Sequence, residues 1–195
     1  LPGAVICRTA SSHIRVGTFQ YFASRNDLQA LQSLFEYTLK RHFPGSVTVE
    51  DLLQKAVQTH ASLVASWMAV GFIHGVMNTD NSHVAGFTID YGPCAFMDIF
   101  TMNQVFSSID THGRYNYGSQ AHAAHWNLTK LADSLLPLLH KNMDEALHMA
   151  EAAVNQYAIE FNSAWISGMR CKLGLFGDED DDFKLTQSLL EWMES

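Results

Sequence analysis

Residues 74–92 read HGVMNTDNSHVAGFTIDYG, a glycine-punctuated stretch with no helical period in which Asp80, Asn81 and Asp90 offer carboxylate and amide oxygens. Loops of this composition are where functional residues concentrate. A divalent cation such as magnesium, bound together with a nucleoside triphosphate, takes a few hard oxygens from protein and the rest from phosphate and water. Asn81 and Asp90 suit that need. The intervening HVAGFTID is expected to form a tight hairpin turning near Ala85 and Gly86, which would bring both side chains to one end. The plainer reading of Asn78-Thr79-Asp80-Asn81 is a turn whose side chains bond their own backbone.

Spacing sharpens the first reading. In the protein-kinase template a catalytic-loop His is followed two residues later by an Asp and five residues after that by a metal-binding Asn, and a second metal-binding Asp opens an Asp-aromatic-Gly triplet. His74 and Asn81 keep that spacing, and Asp90-Tyr91-Gly92 supplies the triplet. Val76 stands where the template has its Asp, while Asp80 offers a carboxylate elsewhere. Upstream, Arg8 and Arg15 flank Ser11, Ser12 and His13. A guanidinium suits phosphate because its planar fork gives two parallel hydrogen bonds and stays charged. Two unrelated surface salt bridges are the ordinary alternative for such a pair.

Around this centre the pattern is helical. Residues 3–19 are rich in small and β-branched residues and are expected to be extended, passing into a turn. Leu28, Leu31, Leu34, Phe35 and Leu39 recur at helical spacing after Asn26-Asp27, and HFPG at 42–45 stops them. Thr48 opens a second helix running to Gly71. Helix resumes from Trp126 to Leu139, Asn142 with Glu145 caps a long one ending near Gly174, and a last amphipathic segment closes the chain. The expected fold is mainly α: one domain over 1–195 with a short β-hairpin and loop-rich centre.

The 195 residues are 47% apolar, enough for one core, and carry a net charge of -8, which disfavours broad attraction to nucleic acid or anionic lipid. No apolar run reaches the roughly 20 residues needed to span a bilayer. Cys7, Cys94 and Cys171 are odd in number and irregular in spacing, fitting a reducing compartment better than a disulfide framework. No leader segment is visible at Leu1, and the start has the look of an internal cut.

The blocks RTASSHIRVGTF, VGFIHGVMNTDN, TIDYGPCAFMD, GRYNYGSQ and WNLTKLA, in this order from about Gly3 to Phe176, together resemble the selenoprotein O family, kinase-like protein adenylyltransferases also known as an uncharacterised bacterial protein family. The resemblance implies the helical C-lobe of a protein-kinase-like fold, ATP bound in reversed orientation, and transfer of AMP to Ser, Thr or Tyr hydroxyls of protein substrates. It implies Asp80 as catalytic base, Asn81 and Asp90 as ligands for Mg2+ or Mn2+, and Arg8, Arg15 and Asp90 as the nucleotide site. The family's N-lobe would lie before Leu1, and its tail with a redox-active Cys or selenocysteine after Ser195. The chain alone is therefore expected to bind ATP poorly and transfer little or no AMP. The family's setting is bacterial cytoplasm or, in eukaryotes, the mitochondrion.

Other residues read more plainly. His122 and His125 sit one turn apart as zinc ligands might, without a third partner, and are expected to be exposed or hydrogen-bonded. Cys94 is expected to be a small buried thiol, and Trp67, Trp126 and Trp165 to belong to the core. The acidic run at 178–182 is expected to be a solvated loop. Ordinary phosphoryl transfer, or an inactive nucleotide-binding pseudokinase, are the competing functions.

Overall fold

A computed structural model describes residues 3–177 and 179–194. Its helices are α1 (Val16–Ala23), α2 (Leu28–His42), α3 (Val49–Ala69), α4 (Gln120–Leu139), α5 (Met143–Leu173) and α6 (Asp182–Glu194). Three of the long helices, α2, α3 and α5, begin where a short polar side chain takes up orphan backbone N–H groups. Asp27 Oδ1 accepts from Ala30 N, Thr48 Oγ1 from Asp51 N, and Asn142 Oδ1 from Asp144 N and Glu145 N. At the far end of α5, Gly174 adopts φ 69° and closes the helix with its N–H on Cys171 O.

α3 packs most extensively on α5, α4 lies against both, and α1 packs on α4. The main core runs through Leu52, Leu53, Val57 and Val64 of α3 and Leu128, Leu131 and Leu135 of α4. Each such side chain contributes roughly 1.5–3 kcal/mol on burial. α5 meets them with small residues, Ala146, Ala150 and Ala153, which allow close approach. No described helix is long and apolar enough to cross a membrane.

The centre differs from the expected hairpin. Strand β1 (Phe72–Ile73) pairs antiparallel with β2 (Ala95–Phe96), Phe72 opposite Phe96 and Ile73 opposite Ala95. The loop 74–94 thus leaves and returns at one place. A turn does form at 83–86, with Gly86 N donating to His83 O, but residues 82–84 find their partner in residues 14–16 rather than in 87–90.

Five further expectations are corrected. Residues 16–23 form α1, because Arg15 N bonds Thr18 Oγ1 and long-range pairing seats the helix start. α4 starts at Gln120, six residues before the expected Trp126. Trp126 is 40% exposed, whereas Trp165 is buried; Cys94 is half-buried and Cys7 and Cys171 are exposed. In the acidic run, Asp178 lies outside the described residues, and Asp182 is buried against Arg170 Nε at 2.5 Å.

Candidate functional site

The site is held together by a seam between segments some seventy residues apart in sequence. Val16 N donates to Ser82 O at 2.9 Å and Val84 N to Ile14 O at 3.0 Å, with Arg15 directly opposite His83. At the start of α1, a Cβ on Gly17 would lie 3.3 Å from both Cα and N of Asp80. The bare glycine lets the helix start rest on the Asp80 turn.

The seam delivers Arg15 to Asp90. Nε and one terminal nitrogen of Arg15 both donate to Asp90 Oδ2, at 2.9 and 2.6 Å, while Arg8 approaches Oδ1 at 3.5 Å. The Arg15 and Asp90 side chains are only 29% and 23% exposed, so this pair is shielded more than a surface ion pair, whereas Arg8 at 66% remains in solvent. Asp90 sits at φ 54°, a left-handed conformation unusual for a residue with a side chain. Beside it opens a cleft of about 410 Å³, lined by Arg8, Thr9, His13, Thr88, Asp90 and Gly92 among others.

Asp80 and Asn81 occupy a 3-10 turn, Thr79–Asn81. Asn78 Nδ2 donates to Asp80 Oδ1, and the Asp80 side chain is otherwise exposed. Asn81 Nδ2 donates to Val76 O and Asn78 Oδ1, at 3.0 and 2.8 Å, the local turn bonding that such a run favours. These two bonds fix the amide orientation and leave Oδ1 without a protein donor among the described residues. Asn81 does not line the Asp90 cleft; it borders a small cavity of about 20 Å³ behind it. The structure thus brings Arg8, Arg15 and Asp90 into direct contact, with Asp80 and Asn81 tied to them through the seam.

Buried polar groups fix the loop from behind. His74 Nε2 donates to Ile89 O at 2.8 Å, and Nδ1 accepts weakly from Val76 N. Burial keeps His74 below its ordinary pKa, opposed by the Ile89 carbonyl and the Asp90 charge. Gln120, fully buried, accepts from His74 N and donates to Phe72 O; Asn127 donates to Met77 O. Both amides project from α4, seven residues apart on its apolar side. That placement of uncharged polar residues is the sequence signal that points to them.

Under the seam lies a histidine array. His83 Nδ1 accepts from Ala85 N, so the neutral ring donates through Nε2 to Ser12 Oγ at 2.9 Å, and Ser12 in turn donates to His42 Nε2 at 2.7 Å. His60 bonds Ala56 O and Ser82 Oγ. Burial, aided by the neighbouring His42 and His60, pulls His83 down to about 4. His122 is exposed and His125 packs on Tyr157, 5.8 Å between ring centres.

The donor chemistry tests whether a metal fits. Among the described residues no three His, Cys, Asp or Glu side chains converge as a self-sufficient metal cage. The candidate pair is the undonated amide oxygen of Asn81 and the carboxylate of Asp90, the latter already charge-balanced by arginine. That set suits a hard cation that brings most of its oxygens with a phosphate ligand.

The chain matches, over residues 1–195, the family model described as protein adenylyltransferase SelO. It is 52% identical over 198 residues to proteins named protein nucleotidyltransferase YdiU from Bacillus cereus, Bacillus thuringiensis and Bacillus anthracis. The match covers all of this chain and 41% of each relative, so the chain spans about two-fifths of their length.

Proposed function

The chain belongs to the SelO family of protein adenylyltransferases, and from that premise we propose that the whole protein moves AMP from ATP onto Ser, Thr or Tyr hydroxyls of other proteins. The observation that carries this reading is the double guanidinium hold on Asp90 at the edge of an open cleft. Arg8 and Arg15 balance the carboxylate in the absence of nucleotide and can turn to phosphate oxygens in its presence. The chain is read as one domain, the helical lobe of a kinase-like fold, with the loop between β1 and β2 facing the nucleotide.

In this reaction the substrate hydroxyl oxygen bonds to the α-phosphorus as the bond from that phosphorus to pyrophosphate breaks. Asp80, exposed on its turn, accepts or orients the hydroxyl proton. Arg8 and Arg15 hold the distal phosphates and the charge that leaves with pyrophosphate. Asn81 and Asp90 would hold Mg2+ or Mn2+, whose contribution when bound is to neutralise phosphate charge.

Val76, in place of the template Asp, favours a second reading in isolation: a nucleotide-binding domain without transferase activity. Mass analysis separates the readings, using the full-length protein and a mixture of candidate protein substrates incubated with ATP and Mg2+ or Mn2+. The expected product is a protein heavier by one AMP unit, absent with Asp90→Ala. A phosphate-sized gain would assign a kinase instead, and no modification on any protein would favour the inactive domain.

A further inference from the structure

On the loop preceding α4 stands a cation without a carboxylate partner among the described residues. Arg114 is exposed, and its guanidinium lies 4.7 Å from the ring centre of Trp126 and 5.5 Å from that of Tyr115. Among the described residues it has no carboxylate partner, although the chain carries twenty acidic side chains against twelve Lys and Arg. The nearby acid is used otherwise. Asp110 accepts the backbone N–H groups of Arg114 and Tyr115, each at 2.8 Å, and so fixes the loop while leaving the guanidinium unpaired. Lys130, one helical turn from Trp126, places Nζ 5.8 Å from the same ring while paired with Asp133.

This ledge adjoins the site by two routes. On α4, Asn127 follows Trp126 and bonds Met77 O, three residues before Asp80. The Tyr115 hydroxyl, beside Arg114, is raised above its ordinary pKa by burial, offset in part by Arg114, with Asp110 and Asp80 adding to the rise. A guanidinium stacked on an aromatic face keeps its in-plane N–H groups available, is pre-oriented, and loses little side-chain freedom on pairing.

We propose that Arg114, stacked on Trp126, is a specificity-determining residue that receives an acidic side chain of the protein substrate close to the hydroxyl presented to Asp80. This rests on the protein-modifying reading above. Charge complementarity selects the occupant: an exposed guanidinium on a protein of net charge -8 attracts a carboxylate, while the overall negative charge repels a strongly acidic partner. Recognition is therefore local, of one or two acidic residues beside the target hydroxyl.

The test uses the full-length protein and two synthetic fluorescent peptides that share one Ser, flanked by Glu in one and by Gln in the other. Binding is read by anisotropy at low and high salt, which needs no catalysis, and AMP transfer is read separately by mass. The expected result is a preference for the Glu peptide of roughly fivefold, weakened by salt and collapsing toward one in Arg114→Gln. Arg114→Glu should invert it toward a Lys-flanked peptide. Arg114→Lys, which keeps the charge but loses the flat stack, should retain part of it and guards against a variant that merely misfolds. Equal binding of the two peptides by the unaltered protein, or an unchanged preference in Arg114→Gln, would overturn the proposal. A preserved binding preference without any AMP transfer would instead overturn the adenylyl-transfer reading and leave the ledge standing.

Discussion

Arg15 and Asp90, separated by 75 positions in the chain, meet through two N–H groups on a single carboxylate oxygen, at 2.6 and 2.9 Å. The contact exists because residues 14–16 are stitched to residues 82–84, so the seam and the candidate site form one mechanical unit. Removing Asp90 leaves the partly shielded Arg15 without its carboxylate, and removing Arg15 leaves Asp90 only the solvent-exposed Arg8. Arg15→Gln is expected to destabilise the protein by about 1–3 kcal/mol. Asp90→Asn should behave similarly, and the double variant should cost less than the sum, as measured by urea unfolding in a double-mutant cycle. Additive losses would show that the two side chains do not interact in solution.

Gly86 tests the turn that shapes the loop. Its φ is +67°, and a Cβ there would lie 2.8–2.9 Å from side-chain and backbone atoms of Thr59. Gly86→Ala is expected to cost roughly 2–4 kcal/mol from left-handed strain and overpacking together. Gly92→Ala, where a Cβ meets nothing within 4 Å, provides the contrast and should change the unfolding midpoint little.

Acid should loosen the seam. His83 titrates at about 4 in the folded protein against an ordinary 6.5, so the unfolded chain takes up the proton first. The stability associated with neutral His83 is complete above pH 6.5 and is lost as pH falls from 6.5 toward 4, by at most about 3 kcal/mol. Unfolding midpoints across that window should fall more steeply for the unaltered protein than for His83→Gln. Parallel profiles would remove His83 from the account.

Gln120 is the strongest single support behind the loop, joining Phe72 O and His74 N from a fully buried position. Gln120→Leu preserves bulk but strands both backbone groups, and is expected to cost about 2–4 kcal/mol. Gln120→Glu, which retains an acceptor for His74 N, should cost less at a pH where the side chain is protonated. Thermal unfolding at two pH values checks both statements.

How far the sequence alone reached depended on the range of each interaction. The caps at Asp27, Thr48 and Asn142 are local, a side chain bonding two or three residues ahead, and the helices they open were legible for that reason. α1 was not, because Val16-Gly17-Thr18 has poor helical propensity and its start is fixed by Ser82, far along the chain. The supposed hairpin failed for the same reason: the turn at Ala85-Gly86 is written locally, but the identity of the paired strand is not. Asn81 and Asp90 could be singled out from residue type and spacing, whereas the roles expected of Asp80, Arg8 and Arg15 rested on the family resemblance. That both arginines converge on Asp90 could not be read there, since each alone looks like an ordinary surface cation. Trp126 was assigned to the core by its apolar character, whereas the neighbouring Arg114 and Lys130 cover its face at the surface.

On the proposed reading, the Arg8–Arg15–Asp90 cleft serves transfer from the α-phosphorus of ATP. The most direct test incubates the full-length protein and protein substrates with ATP labelled at either the α- or the γ-phosphate, in the presence of Mg2+ or Mn2+, and follows label on protein. Stable label is expected from the α position only, lost in Asp90→Ala and strongly reduced in Arg15→Gln. Label from the γ position alone, or α label undiminished by both substitutions, would contradict it.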